Sequence, residues 1–163
     1  MLTPYSYSKL KTTLAHQFTT KNYVTYKVKF IEDDTLFILT NNVEFEQVYQ
    51  IVIDNTTDTK PPFDSRVFLT IEAIIIEFFK DTQKILVFVC DTMDGKQLAR
   101  FKKFNRWHEK SKHNQSIIKL NDNYTDTDVE LFYSIMIHKS NPKFKDLKSA
   151  FFSIKELLIN DKP

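Results

Sequence analysis

Residues 64–107 read DSRVFLTIEAIIIEFFKDTQKILVFVCDTMDGKQLARFKKFNRW. Val67–Phe79 is apolar except at Thr70, Glu72 and Glu77. That pattern predicts a helix with little surface left for water, buried against more than one layer. Asp64 stands just ahead of it, where a side-chain carboxylate can accept the unpaired amides of a first turn. Ile85–Cys90 is an unbroken apolar run, the pattern of a strand covered on both faces. Met93–Lys96 then carries the Asp94-Gly95 turn, and Lys96–Lys112 predicts a strongly basic helix. A buried helix, a covered strand and a second helix in succession call for a sheet with helices packed on it.

Toward the N-terminus, Leu14–Phe18 and Tyr23–Ile31 predict a hairpin turning at Thr19–Asn22. Val24, Tyr26, Val28 and Phe30 alternate with Thr25, Lys27 and Lys29, so one face meets a core and the other meets water. Tyr5–Leu10 reads as a short leading strand. Leu36–Thr40 and Phe45–Ile53 read as two more, with Tyr49, Ile51 and Ile53 on one face. Asp54–Phe63 is polar and contains Pro61-Pro62, which ends the meander. Toward the C-terminus, Ser116–Leu120 predicts a strand, Asn121–Asp128 a polar loop and Glu130–His138 a long strand. Asn141 and Pro142 suit an N-cap and a first helical position. Phe144, Leu147, Phe151, Ile154 and Leu158 then form one apolar stripe. The expectation is one α+β domain over residues 1–163, with a mostly antiparallel sheet packed on a central apolar helix.

Composition removes several function classes. Hydrophobic residues are 42% and charged residues 27% of 163, a folded balance with room for a core. The single cysteine, Cys90, cannot form an internal disulfide or a multi-thiolate zinc site. The single glycine, Gly95, cannot build a phosphate loop, a dinucleotide turn or a kinase-type loop, all of which need several. The longest apolar runs, such as Ala73–Ile76, are too short to cross a bilayer, and the polar opening after Met1 lacks a signal-peptide pattern. A cytosolic protein with no membrane contact and no cofactor is expected.

The strongest candidate for contact is the basic helix. Gly95–His113 holds seven cations against one anion, Glu109, on a chain whose net charge is only +2. At about 100° per residue, Lys96, Arg100, Lys103, Arg106 and Lys110 share one face while Leu98, Phe101 and Phe104 share another. Trp107 falls on the cationic side. Cations beside an aromatic plane suit phosphate and base contact, and they also suit an acidic protein surface. The plainer alternative is a solvated helix face that aids solubility.

A second candidate is the strand end, Cys90, Asp91 and Asp94, with Arg100 one to two turns on. Its carboxylates suit a cation or the orientation of a base, and strand ends commonly carry ligands. The structural alternative makes Cys90 a buried small hydrophobe and Asp94 the cap of the basic helix. A thiol–imidazole pair is not favoured, because nothing in the spacing brings His108 or His113 to Cys90. The acidic stretch with Asp122, Asp126, Asp128 and Glu130 lacks the glycine and spacing of a calcium loop.

The pattern D-x-R-V-x-x-T-I-x-x-I-I-x-x-F-F from Asp64, followed by C-D-x-x-D-G-x-Q-x-x-R-x-x-x-F-x-x-W to Trp107, resembles a family of small bacterial proteins with no established activity. The Tyr23–Phe30 strand and the Asn141-Pro142 helix start are similar as well. That resemblance implies a self-contained cytosolic bacterial protein and carries over no catalytic residues. The element order is also similar to the core of the N-acetyltransferase superfamily. There a glycine-bearing turn ahead of the first core helix holds the coenzyme A pyrophosphate. The corresponding Pro62–Arg66 here has no glycine; Arg66 brings a cation, and Asp64 opposes an anion. Phe101 and Phe104 stand on the helix where such enzymes often place a tyrosine acid, and neither can donate a proton. The resemblance therefore implies a degenerate, non-catalytic member. The leading expectation is a binding module that presents Lys96, Arg100, Lys103, Arg106, Trp107 and Lys110 to an acidic protein surface or nucleic acid. The alternative is an acyltransferase-like enzyme using acetyl-CoA or another phosphorylated cofactor near Arg66, Cys90, Asp91 and Asp94.

Overall fold

The apolar run after Asp64 forms helix α1, Ser65–Phe78, and Asp64 is its N-cap, with Oδ1 accepting the Arg66 amide at 3.0 Å. The computed structural model describes residues 1–11, 13–34, 36, 44–58, 60–90, 95, 97–125, 127–128 and 130–160. Among them the chain is α+β. Its strands are β1 (Ser8–Lys9), β2 (Ala15–Thr19), β3 (Thr25–Glu32), β4 (Val48–Asn55), β5 (Ile85–Cys90), β6 (Ile117–Thr125) and β7 (Glu130–His138). The further helices are α2, Gln97–Lys110, and α3, Phe144–Asn160. The strand expected over Leu36–Thr40 lies outside the described residues except for Leu36. Two compact units divide the chain: Met1–Ile31 with Gln50–Asp81, and Glu32–Tyr49 with Thr82–Pro163.

In the first unit β1, β2 and β3 pair antiparallel, with Lys9 opposite His16 and His16 opposite Val28. The predicted hairpin is present. Its turn is closed by the Thr20 amide donating to Val24 O at 2.9 Å, with Tyr23 in the left-handed region at φ 60°. Phe18, Val28 and Phe30 are buried, and Phe30 stacks on Phe78 of α1 at 4.2 Å between centroids. No position of α1 from Arg66 onward is fully exposed, as its composition demanded. Thr70, its one buried polar side chain, is satisfied twice: Oγ1 accepts from the Tyr5 amide at 2.9 Å and donates to Arg66 O at 2.7 Å. Thus the segment ahead of β1 is tied to α1. Tyr7 adds a hydrogen bond from its hydroxyl to Glu77 at 2.7 Å.

In the second unit the strand order is β5-β7-β6, antiparallel throughout. The register sets Phe88 opposite Ser134 and Ser134 opposite Asn121, so alternate residues of three strands share a face. One face carries Ile85, Val87, Tyr133, Ile135 and Ile137, packed with Leu147, Phe151 and Ile154 of α3. The other carries Phe88, Cys90, Phe132, Ser134 and Lys119 beneath α2. β5 is therefore covered on both sides, as its unbroken apolar run predicted. The polar loop expected over Asn121–Asp128 is corrected: β6 continues to Thr125, pairing Asp122 with Tyr133 and Thr125 with Glu130. Backbone pairing to a central strand outweighs the low strand propensity of Asn and Asp there. α3 starts at Phe144, two residues later than the expected Pro142, and Asn141 instead holds the turn that leads into it, its Oδ1 accepting the Lys143 amide at 2.8 Å. Among the described residues no helix is long and apolar enough to cross a membrane.

Candidate interaction surface on the basic helix

α2 separates its side chains by periodicity. Phe104 meets Phe88 at 4.1 Å and Phe101 meets Phe132 at 5.0 Å between ring centroids. One turn on, His108 Nε2 lies 2.6 Å from Ile117 O. A carbonyl only accepts, so Nε2 carries the proton and the ring is pinned to β6. Phe101, Phe104, Asn105 and His108 thus form the inner face, at the three-and-four spacing of a helix.

The outer face is cationic. Arg100, Lys102, Lys103, Arg106 and Lys110 are all exposed, and Glu109 is the one exposed anion of the helix. Lys112, just past its end, is exposed too. Lys96 lies outside the described residues. Leu98, expected on the inner face, is 40% exposed, because it stands a turn before the first aromatic that reaches the sheet. Trp107 does not stand among the cations as an open plane. It is half-buried, edge-on to Phe104 at 6.3 Å, and its buried Nε1 has no hydrogen-bond partner among the described residues. The outer face therefore offers charge without a stacking platform.

Beneath α2 is a polar cluster that the sequence reading missed. Lys119 Nζ donates to Asn105 of α2, to Asn121, and to Ser134 Oγ at 3.0 Å, and lies 5.2 Å from the Phe101 ring centroid. Ser134 Oγ in turn donates to Asn121 Oδ1 at 2.7 Å. The three ammonium protons meet three acceptors, so the network is closed. Burial pushes the Lys119 ammonium down to about 8, against the opposing pull of Cys90 and Glu109. The available signals were a lone serine inside the apolar run 132–137 and a lysine inside 117–120 sharing its parity with Asn121.

Of the second set of predicted residues, Arg66 and Cys90 are among the described residues, each in its own unit. Cys90 is fully buried, and burial pushes its thiol up to about 11, with Arg100 and Lys119 pulling the other way. Such a thiol is protonated at neutral pH and is no nucleophile. Asp91 and Asp94 lie outside the described residues. Arg66 belongs to the first unit and is engaged there. Its Nε donates to Thr3 O at 2.8 Å, its second guanidinium nitrogen to Pro4 O at 3.4 Å, and its guanidinium lies 3.9 Å from the Tyr5 ring centroid. Asp64 accepts from the Tyr5 hydroxyl at 2.7 Å. Among the described residues no group of three or more His, Cys, Asp or Glu side chains converges for a metal.

The chain belongs to DUF6169, a family of unknown function, whose model matches residues 63–153. The match runs from the cap of α1 through β7 into α3 and so includes the whole of α2. Comparison with curated proteins found no match.

Proposed function

We propose that this chain is a non-catalytic binding module of the bacterial cytosol, and that the outer face of α2 docks against a polyanion, either a nucleic-acid backbone or an acidic protein surface. The observation that carries the reading is the division of α2: every inner aromatic is spent on the sheet, while Arg100, Lys102, Lys103, Arg106 and Lys110 stay at the surface. Clustered surface cations attract polyanions and speed their encounter even when the whole chain is nearly neutral. Because Trp107 is half-buried, contact is by charge, so recognition is insensitive to base sequence. Labelled duplex DNA, single-stranded RNA and an acidic peptide, titrated at low and physiological salt, test this. Saturable, salt-weakened binding to one of them is expected. Absence of binding to all three at low salt would overturn it.

The acyltransferase-like alternative rests on element order alone. It predicts that acetyl-CoA raises the melting temperature by mass action, whereas the binding-module reading predicts no change.

A further inference from the structure

Within the second unit β6 is an edge strand, with β7 as its one neighbour among the described residues. In an antiparallel ladder the amide and carbonyl of one residue point the same way, and those of the next point the other way. The Lys139 amide donates to Ser116 O at 2.8 Å, so Ser116 faces β7, and Ile118, Leu120, Asp122 and Tyr124 share its parity. The backbone groups of Ile117, Lys119, Asn121 and Asn123 therefore point outward from the sheet.

Both ends of this outward row are capped within the chain. The Ile117 amide donates to His113 O at 2.8 Å, and its carbonyl accepts from His108 Nε2. The Asn123 amide donates to Asp122 Oδ1 at 2.8 Å. Between them, the amides and carbonyls of Lys119 and Asn121 have no hydrogen-bond partner among the described residues. Open edges are usually guarded by a bulge, a proline or an outlying charge. β6 pairs without a bulge from Ile117 to Thr125 and holds no proline. Its lysine does not guard it, because that ammonium turns inward to Asn105, Asn121 and Ser134.

The open groups lie symmetrically about Leu120, which is the property a two-fold contact needs. A second copy running antiparallel and centred there sets Lys119 of each copy against Asn121 of the other, so every open amide meets an open carbonyl. Leu120 meets Leu120, and Asp122 meets Ile118, so no like charges stand directly opposed. We infer that this edge of β6 is a dimer interface whose partner is a second copy of this chain. The axis stands perpendicular to the joined sheet, so the two α2 helices come to the same side of it. The pairing does not depend on the polyanion reading of α2.

Sedimentation of the full chain over a concentration series, without any polyanion, tests it together with amide hydrogen exchange by NMR. A reversible dimer is expected, with the Lys119 and Asn121 amides slowing in exchange as concentration rises. Asn121→Pro and Asn121→Ala lose the same carboxamide, but only proline removes the outward amide, which an edge strand tolerates. Asn121→Pro should weaken association by at least about tenfold relative to Asn121→Ala. If the proline variant does not fold, the exchange measurement on the natural chain decides. A monomer at every concentration would overturn the inference and leave the edge to an extended segment of another protein. Exchange at Lys119 and Asn121 that ignores concentration, or equal association of the two variants, would also overturn it.

Discussion

Lys119 Nζ donates to Ser134 Oγ at 3.0 Å beneath helix α2, so a half-buried cation of β6 is held by its neighbouring strand β7. The same ammonium reaches Asn105 of α2, so this network and the His108–Ile117 bond fasten the basic helix by its polar side as well as by its phenylalanines. A charged surface is useful for docking only if it is held in place, and this fastening links the core to the proposed interface.

The burial of Lys119 sets a pH dependence. Its ammonium titrates near 8 in the fold against an ordinary value of 10.5, so between these values the unfolded chain binds more protons. Stability from this group is therefore full above pH 10.5 and is lost as pH falls toward 8. The Cys90 thiol, raised from 9 to about 11, contributes the opposite trend above pH 9. Subtracting the denaturation free energy of Lys119→Met from that of the wild type at each pH isolates the lysine. The difference should rise with pH across this window and be flat below it.

His16 gives a second pH prediction, in acid. It is 5% exposed, edge-on to Tyr7 at 5.6 Å and to Phe30 at 6.3 Å, and neither ring nitrogen has a hydrogen-bond partner among the described residues. Burial lowers its pKa, opposed by Glu77 and assisted by Lys9. The ring is therefore folded neutral. Stability is complete above the ordinary value of 6.5 and falls as pH drops below it, because the unfolded chain takes up the proton first. His16→Phe should lose part of the acid sensitivity between pH 6.5 and the lower folded value in urea melts.

At the start of α1, Asp64 caps the Arg66 amide and accepts from the Tyr5 hydroxyl. Asp64→Ala removes both bonds and should destabilise by about 1–3 kcal/mol. Asp64→Asn retains an acceptor for the cap and should lose less. Chemical denaturation of the three proteins measures the order.

Cys90 is fully buried with its thiol raised to about 11. A thiol reagent at neutral pH should leave the native chain unmodified and label it stoichiometrically in denaturant. Rapid native labelling would contradict the burial of Cys90.

Much of this was legible in the residues. Ile85–Cys90 needed both faces covered, and its six residues form β5 with the predicted bounds. Asp64, Thr70 and the apolar positions of α1 were equally plain, because a cap and a period are local signals. The far half of β6 was not legible. Asn121, Asp122 and Asn123 read as loop, and only their pairing with Ser134, Tyr133 and Phe132 makes them strand. Trp107 lies beside Lys103 on a helical wheel, yet a helical side chain reaches back over the preceding turn, which carries the indole to Phe104. Lys119 was passed over because a lysine reads as solvent-facing; its burial depends on Asn105, Asn121 and Ser134 meeting from three separate elements.

The most direct test of the proposed interface is the salt dependence of binding measured by fluorescence anisotropy. Labelled duplex DNA would be titrated with the wild type and with the Lys103→Glu, Arg106→Glu double variant. Both substitutions are on the exposed face, so the fold should survive, as a thermal melt would verify. With four or five cations on phosphates, log affinity should fall against log salt with a slope of roughly −4. The double variant should bind more weakly by at least about tenfold and lose roughly two from the slope. An unchanged affinity and an unchanged slope in the double variant would contradict the assignment of α2 as the contact surface.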